Sequence, residues 1–252
     1  MRTTRVFVDL ALAGGQELTL PAAQSTHLLR ALRLRPGAAL TLFNGRGGEY
    51  AAELLAGGQA RARVRIGAYS AIERESPLRL TLLQGIARGE RLDLVVQKAT
   101  ELGVAAIMPL SCEYTVVRLS GADSARRRER WQAVAISACE QCGRNRPPHV
   151  HDILELEAAC DALGAGSANL RLMLVPEAKA ALAALAVPGL RSAALLIGPE
   201  GGLSEREIGA AQRAGFQACA LGPRVLRTET APLAALAALQ ALAGDMRAPS
   251  GG

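Results

Sequence analysis

The stretch Leu195-Leu196-Ile197-Gly198-Pro199-Glu200-Gly201-Gly202-Leu203-Ser204-Glu205-Arg206-Glu207-Ile208 decides the fold class. An apolar run breaks into glycine and proline and then restarts as a helix. The restart is specified by local chemistry. Ser204 and Glu207 stand at capping-box spacing, and Leu203 and Ile208 at the spacing of a hydrophobic staple. A second break of the same kind follows about twenty residues later, at Leu221-Gly222-Pro223-Arg224-Val225-Leu226-Arg227-Thr228-Glu229-Thr230. Strands that end in such turns and lead into helices build ligand sites at the carboxyl ends of α/β sheets. The separation suits two adjacent strands joined by one helix, with both loops facing one crevice. Thr228 or Thr230 is expected to cap the final helix, with Pro232 in its first turn.

Outward from this stretch the pattern repeats. Leu78–Leu83 reads as a strand. Glu90–Leu102 reads as a helix with Leu92, Val95, Val96, Ala99 and Leu102 on one face, closed by Gly103. Val104–Pro109 is the next strand, and a basic helix spans about Ala122–Cys142. Strands near Leu170–Val175, Ala193–Ile197 and Gln217–Leu221 alternate with further helices. Such alternation implies a mostly parallel sheet covered by helices. Pro232–Ala243 is Ala/Leu on every side, which implies a buried helix, covered in part by a second subunit.

Before Leu78 the period is different. Arg5–Val8, Leu18–Leu20, Ala39–Phe43, Tyr50–Leu55 and Arg61–Ala68 are short strand candidates. Ala22–Arg33 is an intervening helix, and Asn44–Gly48 a hairpin turn. Many short strands in so few residues suggest a small barrel. Arg61, Arg63 and Arg65 alternate with Ala62, Val64 and Ile66, placing charge on one face and apolar groups on the other. Tyr69–Pro77 reads as the linker. The expected domains are a β-barrel over residues 1–71, an α/β domain over 72–245, and a flexible tail over 246–252.

Of the 252 residues 50% are hydrophobic but only 3% aromatic, so alanine and leucine carry the burial. The formal net charge is +6, nearly all of it arginine, which fits a polyanionic partner such as RNA. The amino terminus has no hydrophobic signal core, and Ala231–Ala243 is too short to cross a bilayer. The five cysteines lack disulfide-scaffold spacing. Together these features predict a cytoplasmic protein. Neither glycine-rich turn has dinucleotide or Walker spacing. His27, His149 and His151 stand far from any nucleophile elbow, so hydrolase chemistry is unattractive. Cys139-x-x-Cys142 with His149 and His151 lacks complete zinc-ligand spacing, and no metal is expected. Two consecutive glycines after Glu200 let a ligand approach the backbone. Arg224, Arg227 and Glu229 are charges in an apolar-flanked loop and therefore candidate site residues. Arg126–Arg128 and Arg130 face either RNA or plain solvent.

These residues resemble one family: the RsmE family of 16S ribosomal RNA uridine-N3 methyltransferases, within the SPOUT superfamily. The similarity runs from Arg5-Val6-Phe7 and His27–Leu34 through Arg88–Asp93, Gln97-Lys98 and Glu101–Val104 to Cys139–Asn145. Its most specific parts are Ile197–Gly202 and Leu221–Thr230. The chain departs from the family at Tyr114, where arginine is frequent, and at Ala38, where an acidic residue is frequent. The resemblance implies a PUA-like barrel followed by a SPOUT-type α/β domain whose chain end threads a trefoil knot, although threading is rare among folds in general. It implies a homodimer that binds S-adenosylmethionine and methylates N3 of a single uridine of 16S rRNA in the assembled 30S subunit.

The implied cofactor contacts are Leu196, Ile197, Gly198, Pro199, Glu200 and Gly201 on one loop and Leu221, Gly222, Arg224, Val225 and Leu226 on the other. Leu174 and Val175, at a neighbouring strand end, are further candidates. Arg227 is expected to stabilise the uracil anion, with Glu200 or Glu229 accepting the proton. RNA is expected at Arg2, Arg5, Arg30, Arg33 and Arg144. Two competing readings are a SPOUT enzyme for tRNA or a ribose 2′-hydroxyl, and a non-catalytic ribosome-assembly factor. The barrel and the form of Leu221–Thr230 argue against the first, and the intact Gly198–Gly202 and Arg224–Glu229 against the second.

Overall fold

The computed structural model describes residues 3–57, 61–116, 121–164, 168–187 and 189–247. The chain forms two compact units: Met1–Glu75 with Cys139–Pro147, and Ser76–Ala138 with Pro148–Gly252.

In the first unit β1 (Thr4–Phe7), β2 (Glu17–Thr19), β3 (Ala39–Phe43), β4 (Glu49–Gly57) and β5 (Ala62–Ser70) form one sheet in the order β1-β3-β4-β5-β2. All pairs are antiparallel except β1 with β3. Where a small barrel is expected, β1 and β2 stand at the two ends of the hydrogen-bonded order. The inward residues of β5, Ala62, Val64 and Ile66, are buried while Arg61, Arg63 and Arg65 are exposed, as period-two alternation requires. They join Val6, Leu40, Leu42 and Leu54 in a single core. Helix α1 (Ala22–Thr26) continues as a π-helical turn over His27–Ala31. The chain then reverses through Arg33, whose φ of 53° is the only positive value at a non-glycine among the described residues.

Cys139–Pro147 is stapled to this unit by polar contacts. The Glu140 carboxylate accepts from the Phe7 backbone N–H at 2.9 Å. Arg5 donates to Asn145 Oδ1 at 2.6 Å and ion-pairs with Glu49. Asn145 Nδ2 donates to the Ile72 carbonyl at 2.7 Å.

The second unit is a three-layer α/β structure. Its strands are β6 (Arg79–Gly85), β7 (Val104–Ser111), β8 (His149–Val150), β9 (Leu154–Glu155), β10 (Leu170–Leu174), β11 (Ser192–Ile197) and β12 (Gln217–Cys219). They form one sheet in the order β12-β10-β11-β6-β7-β8, with β9 also pairing β7, and every ladder is parallel. Parallel strands buried on both faces read as continuous apolar runs, which is how β11 reads, whereas β6 carries Thr81 and Gln84 among its leucines. Leu195 and Ile197 of β11 enter one core with helices α2 (Arg91–Glu101), α3 (Gly121–Cys142) and α7 (Thr230–Ala243). Ala194 and Leu196 enter the opposite core with α4 (Leu156–Leu163) and α6 (Glu205–Arg213). A four-residue helix, α5 (Leu182–Leu185), completes the set.

The observed order corrects one expectation. β11 and β12 are not adjacent, because β10 lies between them. Helix α6 therefore crosses over β10, and the two glycine-punctuated loops flank its carboxyl end.

One further difference concerns α7. Neither Thr228 nor Thr230 caps it: its N-cap is Glu229, with no side-chain cap bond. Within the single chain, α7 is buried on one side. Ala235, Leu236, Leu239 and Gln240 are buried, whereas Ala234 and Ala241 are exposed.

Candidate active site

The carboxyl ends of β10, β11 and β12 surround a cavity of about 610 Å³. Three loops line it: Leu174–Glu177 after β10, Ile197–Leu203 after β11, and Cys219–Glu229 after β12, together with Arg91.

The loop after β11 is fixed at both ends. On its far side the Ser204 hydroxyl accepts from the Glu207 backbone N–H at 3.3 Å. The Glu207 carboxylate accepts from the Ser204 N–H at 2.9 Å, so the expected capping box is formed. On its near side the loop lies against the end of β6, where a Cβ on Gly85 would fall 2.4 Å from the Pro199 nitrogen. Only glycine admits that approach.

The loop after β12 is tied to its counterpart by Thr228. Its hydroxyl donates to the Gly198 carbonyl at 2.9 Å and accepts from Gln84 Nε2 at 3.2 Å. Thr228 and Gln84 are both buried. The cavity thus rests on a polar brace reaching from β6 to both loops.

Charge is confined to the rim. Arg91 Nη1 donates to Glu200 Oε1 at 2.7 Å, and Arg91 Nε lies 3.9 Å from Glu229 Oε1. The Arg88 backbone N–H also donates to Glu200 Oε1, at 2.9 Å. Burial pushes the Glu200 carboxyl up, but the backbone N–H donors and Arg91 outweigh it and hold the group below the ordinary carboxylate range. Glu229 differs: its Oε2 is buried with no hydrogen-bond partner in the protein. Arg224 and Arg227 are exposed on the same loop.

Most of the residues expected to hold the cofactor do line this cavity: Leu174, Val175, Ile197–Gly201, Leu221, Gly222 and Arg224–Leu226. Arg227 and Glu229 line it too. Leu196 does not, because strand alternation turns it into the α4–α6 core. Sequence reasoning missed Arg91, Glu177 and Thr228. Arg91 opens a helix and looks like any solvated first-turn charge. Glu177 follows Pro176 just beyond a strand end, and that position is the one signal it offers.

The residues expected to hold RNA divide. Arg30 and Arg33 are exposed on the first unit. Arg2 lies outside the described residues. Arg5 and Arg144 are turned inward instead: Arg5 is buried on Glu49, and Arg144 donates through Nε to Glu75 at 3.0 Å. A basic residue held against half-buried carboxylates is neutralised internally before it can meet a phosphate. The α3 charge run is also largely paired, Arg126 with Asp123, Arg128 with Asp152, and Arg130 with Glu90 and Asp93. The His149 and His151 rings meet edge to face at 4.5 Å. No three metal-ligating side chains converge among the described residues.

Comparison with known proteins agrees with this geometry. Residues 74–240 match the model of an RNA methyltransferase domain, and residues 20–66 that of an RNA methyltransferase PUA domain. The chain is 31% identical to ribosomal RNA small subunit methyltransferase E of Buchnera aphidicola subsp. Schizaphis graminum, over 97% of this chain and 98% of that one. A crystal structure of a ribosomal RNA small subunit methyltransferase E from Neisseria gonorrhoeae, bound to S-adenosyl methionine, superposes with a TM-score of 0.89. It is 41% identical and covers 98% of this chain and 100% of its own. A putative methyltransferase from Legionella pneumophila, in complex with bound SAM, gives 0.92 at 39% identity, over 97% and 100%.

Proposed function

The chain belongs to the ribosomal RNA small subunit methyltransferase E family, and we propose that it transfers a methyl group from S-adenosylmethionine to N3 of one uridine of 16S rRNA. The observation that carries this reading is the cavity at the ends of β10, β11 and β12, built from the two loops Ile197–Leu203 and Leu221–Glu229. Its fit to the cofactor is physical. Leu174, Val175, Ile197, Leu221, Val225 and Leu226 and the glycine-rich backbone line the cavity beside charged side chains, with no phosphate-binding turn, which suits a nucleoside lacking phosphates. The close approach of Gly85 to Pro199 and the Thr228 brace hold the cradle in shape.

Bound there, S-adenosylmethionine supplies an electrophilic methyl group. The protein's own residues prepare the base. Uridine N3 lies on the Watson–Crick edge, so the nucleotide must be unpaired or flipped to reach the cavity. N3 must also lose its imide proton. Glu229 is the acceptor, directly or through water, because its Oε2 is desolvated and without a partner. Glu200 is occupied by Arg88 and Arg91 and holds the loop. Arg227 stabilises the negative charge that develops on the uracil carbonyls. Exposed Arg30 and Arg33 engage RNA phosphates on the first unit.

The protein acts as a homodimer through the exposed apolar face of α7, its chain end follows the knotted path of the SPOUT fold, and its substrate is the assembled 30S subunit in the cytoplasm. The test is mass-spectrometric mapping of 30S subunits from a strain lacking this protein, incubated with the protein and S-adenosylmethionine. Methyl at N3 of one 16S uridine is the expected result. Methyl on ribose or on tRNA, or none at all, would sink the reading.

A further inference from the structure

We propose that Tyr114 is the platform on which the target uracil ring stacks at the mouth of the cavity. The inference rests on the RNA methyltransferase reading above and deepens it by assigning a residue that selects an unpaired base.

Seven aromatic side chains serve the whole chain. In the second unit Trp131 and Phe216 are buried in the two cores. Tyr114, the remaining one there, is 49% exposed. Exposing a large apolar ring forfeits the stabilisation that burial would give.

The ring is exposed although its backbone is held firmly. On one side the Glu113 N–H donates to the buried Glu207 carboxylate at 2.9 Å. On the other, buried Thr115 accepts from the Cys112 N–H through its hydroxyl at 2.9 Å and returns its own N–H to the Cys112 carbonyl at 3.0 Å. Two exposed side chains, Tyr114 and Val116, therefore flank an anchored Thr115.

The mount is also placed correctly. A Cβ on Gly201 would lie 2.8 Å from the Tyr114 Cβ, and Gly201 lines the cavity. The same Glu207 that holds Glu113 caps the helix following the cavity loop, so Tyr114 and that loop are positioned by one carboxylate. A rigidly mounted, exposed aromatic beside a cavity that must receive an unpaired base matches the chemistry of base stacking, which tolerates any base because each presents a π-face.

The test measures binding of a single-stranded oligouridine to the S-adenosylmethionine-saturated protein. It is paired with cofactor affinity by calorimetry and with methyl transfer to 30S subunits. Tyr114→Ala should weaken oligouridine binding and raise the KM for 30S subunits by roughly 5- to 150-fold, the range for losing one base–aromatic stack, with cofactor affinity unchanged. Tyr114→Phe, which keeps the ring, should restore both. A merely structural Tyr114 would shift the melting temperature and cofactor affinity together. That outcome overturns the proposal, as does equal oligouridine binding by wild type and Tyr114→Ala, or none by the wild type. Absence of methyl transfer by the wild type overturns the enzymatic reading instead, and the binding comparison still decides the stack.

Discussion

The Thr228 hydroxyl donates to the Gly198 carbonyl at 2.9 Å, joining the two loops that enclose the cavity. Gln84 Nε2 donates to the same hydroxyl from the end of β6. Thr228 and Gln84 are buried, and Gln84 Nε2 keeps a second acceptor in the Gly85 carbonyl, so Thr228→Val would strand chiefly the Gly198 carbonyl, at a cost of about 1–3 kcal/mol. Chemical denaturation should register that loss. Cofactor affinity should fall in the same variant, since the cradle is no longer braced. Thr228→Ser, which keeps the hydroxyl, should behave as wild type. Unchanged cofactor affinity in Thr228→Val would show that the brace does not shape the site.

Arg227 is exposed on the cavity rim, with no ion pair there among the described residues. If its guanidinium stabilises the uracil anion, Arg227→Ala should lower turnover roughly a hundredfold or more, the scale of one lost transition-state donor. Calorimetry should find cofactor binding near normal. Turnover at the wild-type rate would remove Arg227 from the chemistry.

What the sequence made legible, and what it hid, follows from range. The β11–α6 junction was readable because a capping box is a contact between neighbours in the chain, and Ser204 and Glu207 form it. The cavity loops were readable because glycine and proline interrupt apolar runs there. Strand order was not: that β10 separates β11 from β12 depends on crossovers no local pattern encodes. Thr228 looked like a helix cap for the same reason, since its real partners, Gly198 and Gln84, are distant in sequence. Arg5 and Arg144 looked like RNA ligands because the carboxylates that absorb them, Glu49 and Glu75, are far along the chain.

The two rim carboxylates should separate by pH. The folded Glu200 value is depressed, so its contribution to stability is present above the ordinary carboxylate value and lost as pH falls through the folded value. Glu200→Gln should flatten that part of the acid stability curve and weaken the Arg91 clasp, leaving the pH profile of methyl transfer unmoved. Glu229→Gln should lower the rate of methyl transfer with cofactor affinity kept, because the proton acceptor is gone. If both variants keep the wild-type rate, neither carboxylate is the base.

Native thiol labelling offers a check on the two cores. Burial and the nearby Glu207 charge push the Cys112 thiol up to about 12, and burial pushes Cys219 up to about 11. Cys139 is raised by its hydrogen bond with Cys142 and by burial, and Cys160 by burial. Only Cys142 is partly exposed. Iodoacetamide at about pH 8 should therefore modify Cys142 first, since thiolate fraction and access both govern the rate. Peptide mapping should find the other four protected until denaturant is added. Early labelling of Cys112 would mean that the Glu207-anchored loop opens readily.

Arg144 should prove structural rather than RNA-binding. Its side chain is 5% exposed and its partner Glu75 22%, so the pair is largely out of solvent. Removing one member of a buried ion pair leaves the other uncompensated, at a cost of about 3–5 kcal/mol. The measured loss should fall toward the low end, because Glu75 retains some solvent. Arg144→Ala should accordingly destabilise the first unit in urea titrations. The salt dependence of RNA binding by the folded fraction should stay that of wild type, because no phosphate contact has been deleted. Arg33→Ala should do the opposite, reducing the salt slope by about one contact with little effect on the urea midpoint. An Arg144→Ala protein of wild-type stability and reduced salt slope would reverse the assignment and return Arg144 to the RNA interface.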